Sequence, residues 1–285
     1  MNTVLIISTL DTKGKETLYL KERIESSGLR TLLMDISMQK GEITESDISP
    51  EEIASAAGVS IKDIYRSKDR SKITNLMISG ACNIAKRLFS EEKIDGVIGI
   101  GGSTGSLMAT EVMRSLPFGV PKLMISSTAA LPGLSTRYIG TGDIMLFHSV
   151  IEISGLTDIL KNVIDRAASA ISCMINSEIT SLSSDKGKAI AMTMLGACER
   201  CATLVRTALE QRGYQIIGFS AAGIGDRAME DMIEQGLFQG VIDLAPGGVG
   251  EHLFGFMRDA GPKRLESAGK LGIPQVISTC SVNHM

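Results

Sequence analysis

Short apolar runs of strand length alternate with amphipathic runs of helix length along almost the whole chain of 285 residues. A strand-like run at residues 4–8 precedes a helical pattern at 15–27, and the next strand-like run follows at 30–36. This alternation is typical of parallel sheets that carry helices on both faces. The sequence therefore predicts an α/β protein made of Rossmann-like units with mainly parallel sheets.

The length of 285 residues and the hydrophobic content of 44% suit two domains. A polar, serine-rich stretch at residues 177–186 is the predicted linker. We predict a nucleotide-binding α/β domain at residues 1–180, with an inserted helical lobe at about 41–70, and a second α/β domain at 187–285. The second domain has about four strand-like runs and no helix after the last, so we expect it to be incomplete at its C-terminus or completed by a partner subunit.

One apolar run, at residues 96–100, ends in glycines and hydroxyl residues and then opens a helical pattern. Free backbone N–H groups at such a turn point to one place, where the helix dipole also favours negative charge. A tight turn needs the glycines but not the hydroxyl groups, so the pattern favours phosphate binding. The candidate residues are Gly101, Gly102, Ser103, Thr104 and Gly105.

The first strand-like run leads into Asp11, Thr12 and Lys13, just before another helical pattern. A cation is unfavourable at a helix N-terminus unless an anion binds there, so Lys13 suits a phosphate. Asp11 either caps the helix or holds Mg²⁺ beside the phosphates. Because the carboxyl ends of parallel strands meet at one edge of a sheet, we expect both strand ends to hold the same phosphorylated ligand.

Further candidate residues lie in two loops of small and polar residues. We expect the first loop to follow the strand at residues 122–126, and the second to precede another apolar run. Asp143, in the second loop, is the alternative to Asp11 as the Mg²⁺ ligand. The candidates for the nucleotide in these loops are Ser127, Thr128, Gly140, Thr141 and Gly142.

Other patterns limit the function. The net charge of −3 and the interleaved basic residues argue against a nucleic-acid partner. No apolar run approaches the roughly 18 residues that span a bilayer, and no export signal precedes the first strand, so we expect a cytoplasmic protein without a membrane partner. The chain contains no Gly-x-x-x-x-Gly-Lys-Ser/Thr motif, and the glycine loop lacks the last glycine of the dinucleotide fingerprint.

Two patterns in the second domain leave alternatives open. Cys198 and Cys201 have the spacing of metal or redox thiols, but a structural zinc site needs four ligands, so reduced thiols at a helix start are favoured. A glycine-rich loop at residues 245–252 either cradles a second ligand or is an ordinary loop.

Five segments occur in the order seen in the tobamovirus-resistance ATP-binding family, which the whole chain resembles. They lie at residues 9–14, 101–105, 138–144, 153–156 and 272–278. The resemblance implies two α/β domains, ATP bound in the first domain, and often a dimer; chains of that family normally continue well beyond residue 285. This sequence departs from the family pattern at 197–201 and 279–284, so the resemblance carries no role over to the second domain.

The leading hypothesis is an ATP-binding protein that uses Mg²⁺, with the phosphates on the strand-end loops of the first domain. One alternative is a phosphotransferase or ligase-like enzyme that works in the interdomain cleft, with Glu251 or His252 reaching a second substrate. Another is a protein-interaction module that uses the lobe at 41–70 and binds ATP as a structural or regulatory ligand. We also expect a homodimer, because the apolar run at 274–278 needs burial on both faces.

Overall fold

A computed structural model describes residues 1–41, 45–178 and 188–280, and the chain divides into two compact units, Met1–Ile179 and Thr180–Met285. Each unit contains one parallel sheet with helices between its strands, which confirms the α/β, Rossmann-like class. Most of the predicted linker at 177–186, and the chain end at 281–285, lie outside the described residues. An incomplete second domain therefore stays a prediction.

The sheet of the first unit has five parallel strands in the order β2-β1-β3-β4-β5. Alternate side chains of β1 enter two separate cores: Leu5 and Ile7 face one, and Val4 and Ile6 the other. The core around Val4 packs against α1 and α7, whereas the core around Leu5 packs against α4 and α5. The elements are β1 (Thr3–Ser8), α1 (Leu10–Glu25), β2 (Arg30–Asp35), α2 (Pro50–Ala56), α3 (Ile61–Arg66), α4 (Arg70–Ser90), β3 (Gly96–Gly101), α5 (Ser103–Arg114), β4 (Lys122–Ser126), α6 (Leu134–Ile139), β5 (Met145–His148) and α7 (Asp158–Asn176).

The predicted lobe folds as α2 and α3 and leads into the long helix α4. It is fixed to the sheet where Ile48 forms a single parallel bridge with Met34 of β2. Ile53 of α2 and Ile64 of α3 are both buried in the core that also contains α4. This packing determines where the start of α4 lies relative to the ends of the strands.

The second unit has four parallel strands in the order β7-β6-β8-β9. Arg264 is a buried cation of this unit, and it contacts Asp243 of β8 at 2.6 Å and Glu230 of α9 at 3.0 Å. Burial alone would lower the pKa of Arg264, but the charges of Asp243 and Asp226 outweigh it and raise that pKa. The elements are β6 (Ala189–Met194), α8 (Glu199–Glu210), β7 (Gln215–Ser220), α9 (Ile224–Glu234), β8 (Gly240–Asp243), α10 (Gly248–Phe254), α11 (Ser267–Leu271) and β9 (Gln275–Ile277).

Among the described residues, no helix is both long enough and apolar enough to cross a membrane.

The contact between α2 and α4 can be tested at Gly80. A Cβ atom at this position would lie 2.0 Å from the carbonyl oxygen of Ile53. We therefore expect Gly80→Ala to lower the free energy of unfolding by about 1–3 kcal/mol, the usual cost of overpacking, although alanine favours helices. Ser79→Ala, at the exposed neighbouring position of α4, is the control and should be neutral or slightly stabilising in denaturant unfolding. Equal stability of Gly80→Ala and the wild type would contradict this packing.

Candidate functional site

The polar candidate residues of the first unit meet where its sheet changes winding direction. The helix after β1 covers one face of the sheet, and the helix after β3, the neighbouring strand, covers the opposite face. Ligands of open α/β sheets bind in the crevice at such a switch point. A cavity of about 560 Å³ opens there, lined by Thr9, Asp11, Thr12, Lys13, Met38, Gln39, Arg70, Thr74, Gly102, Ser103, Thr104 and Gly105.

The N-terminus of α5 borders this cavity with its backbone N–H groups open. Its N-cap residue, Gly102, offers no side chain, and the first backbone bond of the helix runs from Ser106 N–H to the Gly102 carbonyl at 2.8 Å. The N–H groups of Ser103, Thr104 and Gly105 therefore have no acceptor inside the helix. An anion in the cavity would satisfy them and the positive end of the helix dipole.

The N-terminus of α1 borders the same cavity, but the protein itself satisfies it. Leu10 N–H donates to Oδ1 of Asp35 at 3.1 Å, and Asp11 N–H donates to Oγ of Ser37 at 3.1 Å. Asp35 is buried at the end of β2, and this burial raises the pKa of its carboxyl against the hydrogen bonds from Ser37 and Leu10. Of the two helix N-termini, α5 is therefore the one that can receive an anion.

Two cations line the cavity from different elements. Lys13 has non-helical backbone angles that kink α1, and its Nζ donates a hydrogen bond to the carbonyl of Ile153. Arg70 is the first residue of α4 and is exposed. Sequence reasoning missed Arg70, although its place beside the N-cap residue Asp69 is the same unfavourable position for a cation that singled out Lys13.

Asp11 contributes a carboxylate oxygen to the site. Its Oδ1 is buried and has no hydrogen-bond partner among the described residues. Within the same residues, no group of three or more His, Cys, Asp or Glu side chains is placed to hold a metal ion. A metal at this cavity would therefore need oxygen ligands from a bound molecule as well as from Asp11.

Ser127 and Thr128 lie beside the glycine loop rather than among the cavity-lining residues. The Oγ of Ser127 is 3.9 Å from the position that a Cβ atom of Gly102 would occupy. Thr128 shares hydrogen bonds with Ser126 at 3.2 Å and with the hydroxyl of Tyr138 at 2.8 Å. The Tyr138 hydroxyl in turn donates to the carbonyl of Ser103 at 3.3 Å, so Thr128 helps to fix the start of α5.

The structure does not bring Asp143 to the cavity, and the prediction that it could be an alternative Mg²⁺ ligand there is corrected. Asp143 forms an ion pair with Nζ of Lys122 at 2.7 Å and accepts a hydrogen bond from Gly119 N–H at 2.7 Å. Lys122 is the first residue of β4, so this pair lies at the amino edge of the sheet, opposite the glycine loop. Burial lowers the pKa of Lys122, and the bond to Asp143 opposes that effect.

The loop of Gly140, Thr141 and Gly142 also lies away from the cavity. Added Cβ atoms at both glycines would lie 3.0 Å from the side chain of Arg114, which ends α5. These residues lie far from the cavity because of α6. This helix begins after the loop at the carboxyl end of β4 and leads the chain back to the amino edge of the sheet, where β5 starts. These three residues are therefore separated from the phosphate-binding candidates.

In the second unit, three of the candidate residues, Cys198, Glu251 and His252, form contacts with residues close to them in the sequence. Cys198 is buried, with its thiol near the Leu195 carbonyl at 3.2 Å, whereas Cys201 is exposed. In the glycine-rich loop, His252 pairs with Asp259 at 2.9 Å, and Glu251 accepts a hydrogen bond from Arg258 N–H at 2.6 Å.

The first unit is thus a doubly wound α/β domain with an anion-receptive cavity at its switch point, followed by a second domain of the same class. Models described as "Uncharacterised protein family (UPF0261) N-terminal domain" and "C-terminal domain" match residues 2–180 and 187–285. The chain belongs to this family. The chain is also similar to tomato ToMV proteins, as the resemblance to a tobamovirus-resistance family predicted, so that prediction is confirmed.

Three similar proteins illustrate the family. A UPF0261 protein of Clostridium tetani is 37% identical over 96% of this chain and 67% of its own length. One from Brucella suis is 32% identical over 98% of this chain and 66% of its own length. The ToMV resistance protein Tm-1(GCR237) of Solanum lycopersicum is 32% identical over 96% of this chain and 39% of its own length.

The chain therefore spans about two thirds of these bacterial relatives and well under half of the tomato protein. Among solved structures, a UDP-GlcNAc 2-epimerase from Methanocaldococcus jannaschii aligns over 97% of this chain and 89% of its own chain, at 12% identity and a TM-score of 0.30.

The corrected position of Asp143 gives a test. Asp143→Asn leaves the buried Lys122 without its counter-charge. We expect the free energy of unfolding to fall by about 3 kcal/mol. This value is at the low end for a broken buried ion pair, because Asp143 is partly exposed. Glu91→Gln, which breaks the exposed pair between Lys93 and Glu91, is the control and should change stability little. The structural role would be contradicted if Asp143→Asn left the stability unchanged and instead removed a Mg²⁺ requirement for nucleotide binding.

Proposed function

We propose that the first unit binds ATP together with Mg²⁺, with the phosphates at the N-terminus of α5. The observation that carries this proposal is the set of open N–H groups of Ser103, Thr104 and Gly105, which face a cavity lined by two cations. A phosphate combines several acceptor oxygens with negative charge and so suits these groups. The cavity of about 560 Å³ lies within the usual range of about 300–1,000 Å³ for small-molecule sites.

The side chains around the cavity offer both hydrogen-bond donors and positive charge to a polyphosphate. The hydroxyl groups of Thr12, Ser103 and Thr104 offer further donors at its wall. Lys13 and Arg70 supply positive charge from α1 and from the start of α4. A chain of phosphates that extends from α5 would be neutralised by both.

Asp11 fits the proposed Mg²⁺. Its buried Oδ1 lacks a hydrogen-bond partner among the described residues, and a hard cation prefers such an oxygen. Mg²⁺ is usually bound through one or two carboxylates, the phosphates of its substrate and water, so a single protein carboxylate is sufficient. When bound, the ion would neutralise the phosphates and screen Asp11 from them.

The other hypotheses remain proposals. In the region of the lobe that the structure describes, no large apolar side chain is exposed, which gives little support to an apolar interface there. Exposed apolar side chains cluster instead at Phe254, Phe256 and Met257 of the second unit. The homodimer also stays a prediction; it is supported by Val276 and Ile277 of β9, which are 65% and 51% exposed.

A thermal-shift titration tests the nucleotide site. A ligand that binds only the folded state should stabilise it by about 2.7 kcal/mol at a hundredfold excess over Kd, so Mg²⁺ and ATP should raise the melting temperature. Gly102→Val should abolish that shift, because Gly102 has ordinary backbone angles and an added side chain there would enter open cavity space. Gly196→Val, a glycine with open space in the second unit, is the control that should keep the shift. No shift at millimolar ATP would count against the site.

Arg70 gives a second test, by calorimetric titration. Removing one charged contact to phosphate should weaken ATP binding by about 1.5–3 kcal/mol, roughly ten- to a hundredfold, in Arg70→Met. Arg66→Met removes an exposed arginine at the end of α3 that does not line the cavity, and it should leave the affinity unchanged. Equal affinities of the two variants would exclude Arg70 from the phosphate site.

A further inference from the structure

A second, smaller cavity adjoins the first at the carboxyl end of β2. Its volume is about 280 Å³, and Gln39 lines both cavities. The other side chains that matter here are Asp35, Pro50, Glu51 and Tyr65. The two cavities are therefore neighbouring regions of one surface, one on the α5 side and the other on the lobe side.

The two cavities differ in charge. The first is lined by Lys13 and Arg70 beside an open helix N-terminus. The second is lined by the carboxylates of Asp35 and Glu51, with Lys40 as its one cation among the described residues. A phosphate would be attracted to the first cavity and repelled by carboxylates in the second.

The wall of the second cavity is held in place by short-range bonds. Ser49 and Glu52 cap α2 reciprocally: Ser49 N–H donates to Oε2 of Glu52 at 2.8 Å, and Glu52 N–H donates to Oγ of Ser49 at 3.3 Å. This fixes Pro50 and Glu51 in the first turn of α2. Tyr65 is half-buried and packs against the core of the first unit, and both its burial and the charges of Glu51 and Asp35 raise the pKa of its phenol.

We propose that the second cavity binds the nucleoside half of the ligand, with the ribose hydroxyls on the carboxylates and the base against Tyr65 and Pro50. This inference rests on the proposed function, because it needs the phosphates in the first cavity. Carboxylate oxygens accept hydrogen bonds from the two hydroxyls of a ribose, as an acidic residue does in dinucleotide sites. An aromatic ring beside a proline offers the flat apolar surface on which a base stacks.

The charge difference sets the direction of the ligand. Its anionic end lies at α5, and its uncharged, hydroxyl-bearing end lies at the lobe. A ligand with phosphates only would use the first cavity alone and gain nothing from Glu51 or Tyr65. Inorganic tripolyphosphate therefore separates the two cavities as a probe.

The experiment measures the affinity of ATP and of inorganic tripolyphosphate, each with Mg²⁺, by calorimetric titration of the whole chain. We expect ATP to bind about tenfold more weakly in Glu51→Gln, which replaces a charged acceptor by a neutral one, and in Tyr65→Ala, which removes the stacking surface, while the affinity for tripolyphosphate is unchanged. Asp63→Asn, an exposed acid of α3 outside the cavity, is the control and should change neither ligand. Glu51→Gln keeps the size of the side chain, so it remains informative if Tyr65→Ala folds poorly.

The outcomes distinguish the inference from the proposed function. If ATP binds and both variants leave its affinity unchanged, the nucleoside does not lie in the second cavity, although the phosphate site stands. An equal loss for ATP and tripolyphosphate in both variants would also overturn the inference, since it would mean a displaced lobe. If neither ATP nor tripolyphosphate binds the wild type, the proposed function itself fails.

Discussion

A parallel sheet with helices on both faces must contain a pair of neighbouring strands whose following helices go to opposite sides. In the first unit these strands are β1 and β3, and the chain leaves their carboxyl ends toward opposite faces of the sheet. The cavity exists because of this divergence, and the strand-end loops line it whatever their sequence. What the sequence decides is the chemistry placed there: glycine and hydroxyl residues after β3, and Asp11 and Lys13 after β1.

The buried carboxylate of Asp35 makes the two helix N-termini at the site unequal. Its Oδ1 accepts hydrogen bonds from Leu10 N–H, at the N-terminus of α1, and from Ser37. The N-terminus of α5 has no such side-chain cap and stays open. The same residue also lines the smaller acidic cavity on the lobe side. One side chain thus closes one helix N-terminus to anions and contributes to a surface suited to hydroxyl groups. For this reason we propose the phosphates at α5 and not midway between the two helices.

The sequence predicted most reliably what depends on local pattern. The strand predicted at 96–100 is Gly96–Gly101, and the one at 122–126 is Lys122–Ser126, because strands buried on both faces read as continuous apolar runs. The residue pattern at 263–271 predicts a helix, but in the structure the helix begins only at Ser267. The residues before Ser267 are not helical, because Arg264 is held by three buried carboxylates and Leu265 has a φ of +71°. The sequence pattern reveals neither feature.

The site was predictable only where strand ends define it. Lys13 and the glycine loop follow directly from strands, so their meeting is a property of the sheet. Arg70 reaches the cavity through the packing of the lobe on α4, which depends on contacts distant in sequence. Asp143 was misplaced because the six-residue helix α6, which takes the chain back to the amino edge, gives no strong periodic signal.

The central claim is that the N-terminus of α5 receives the phosphates, and backbone amide NMR measures this most directly. A titration of the isotope-labelled chain with Mg²⁺ and ATP should shift the amide resonances of Ser103, Thr104 and Gly105 most, because their N–H groups gain acceptors. The amide of Leu10, which is already bonded to Asp35, should shift less. Saturable shifts confined to the loop at residues 245–252, with the amides at 103–105 unchanged, would contradict the account.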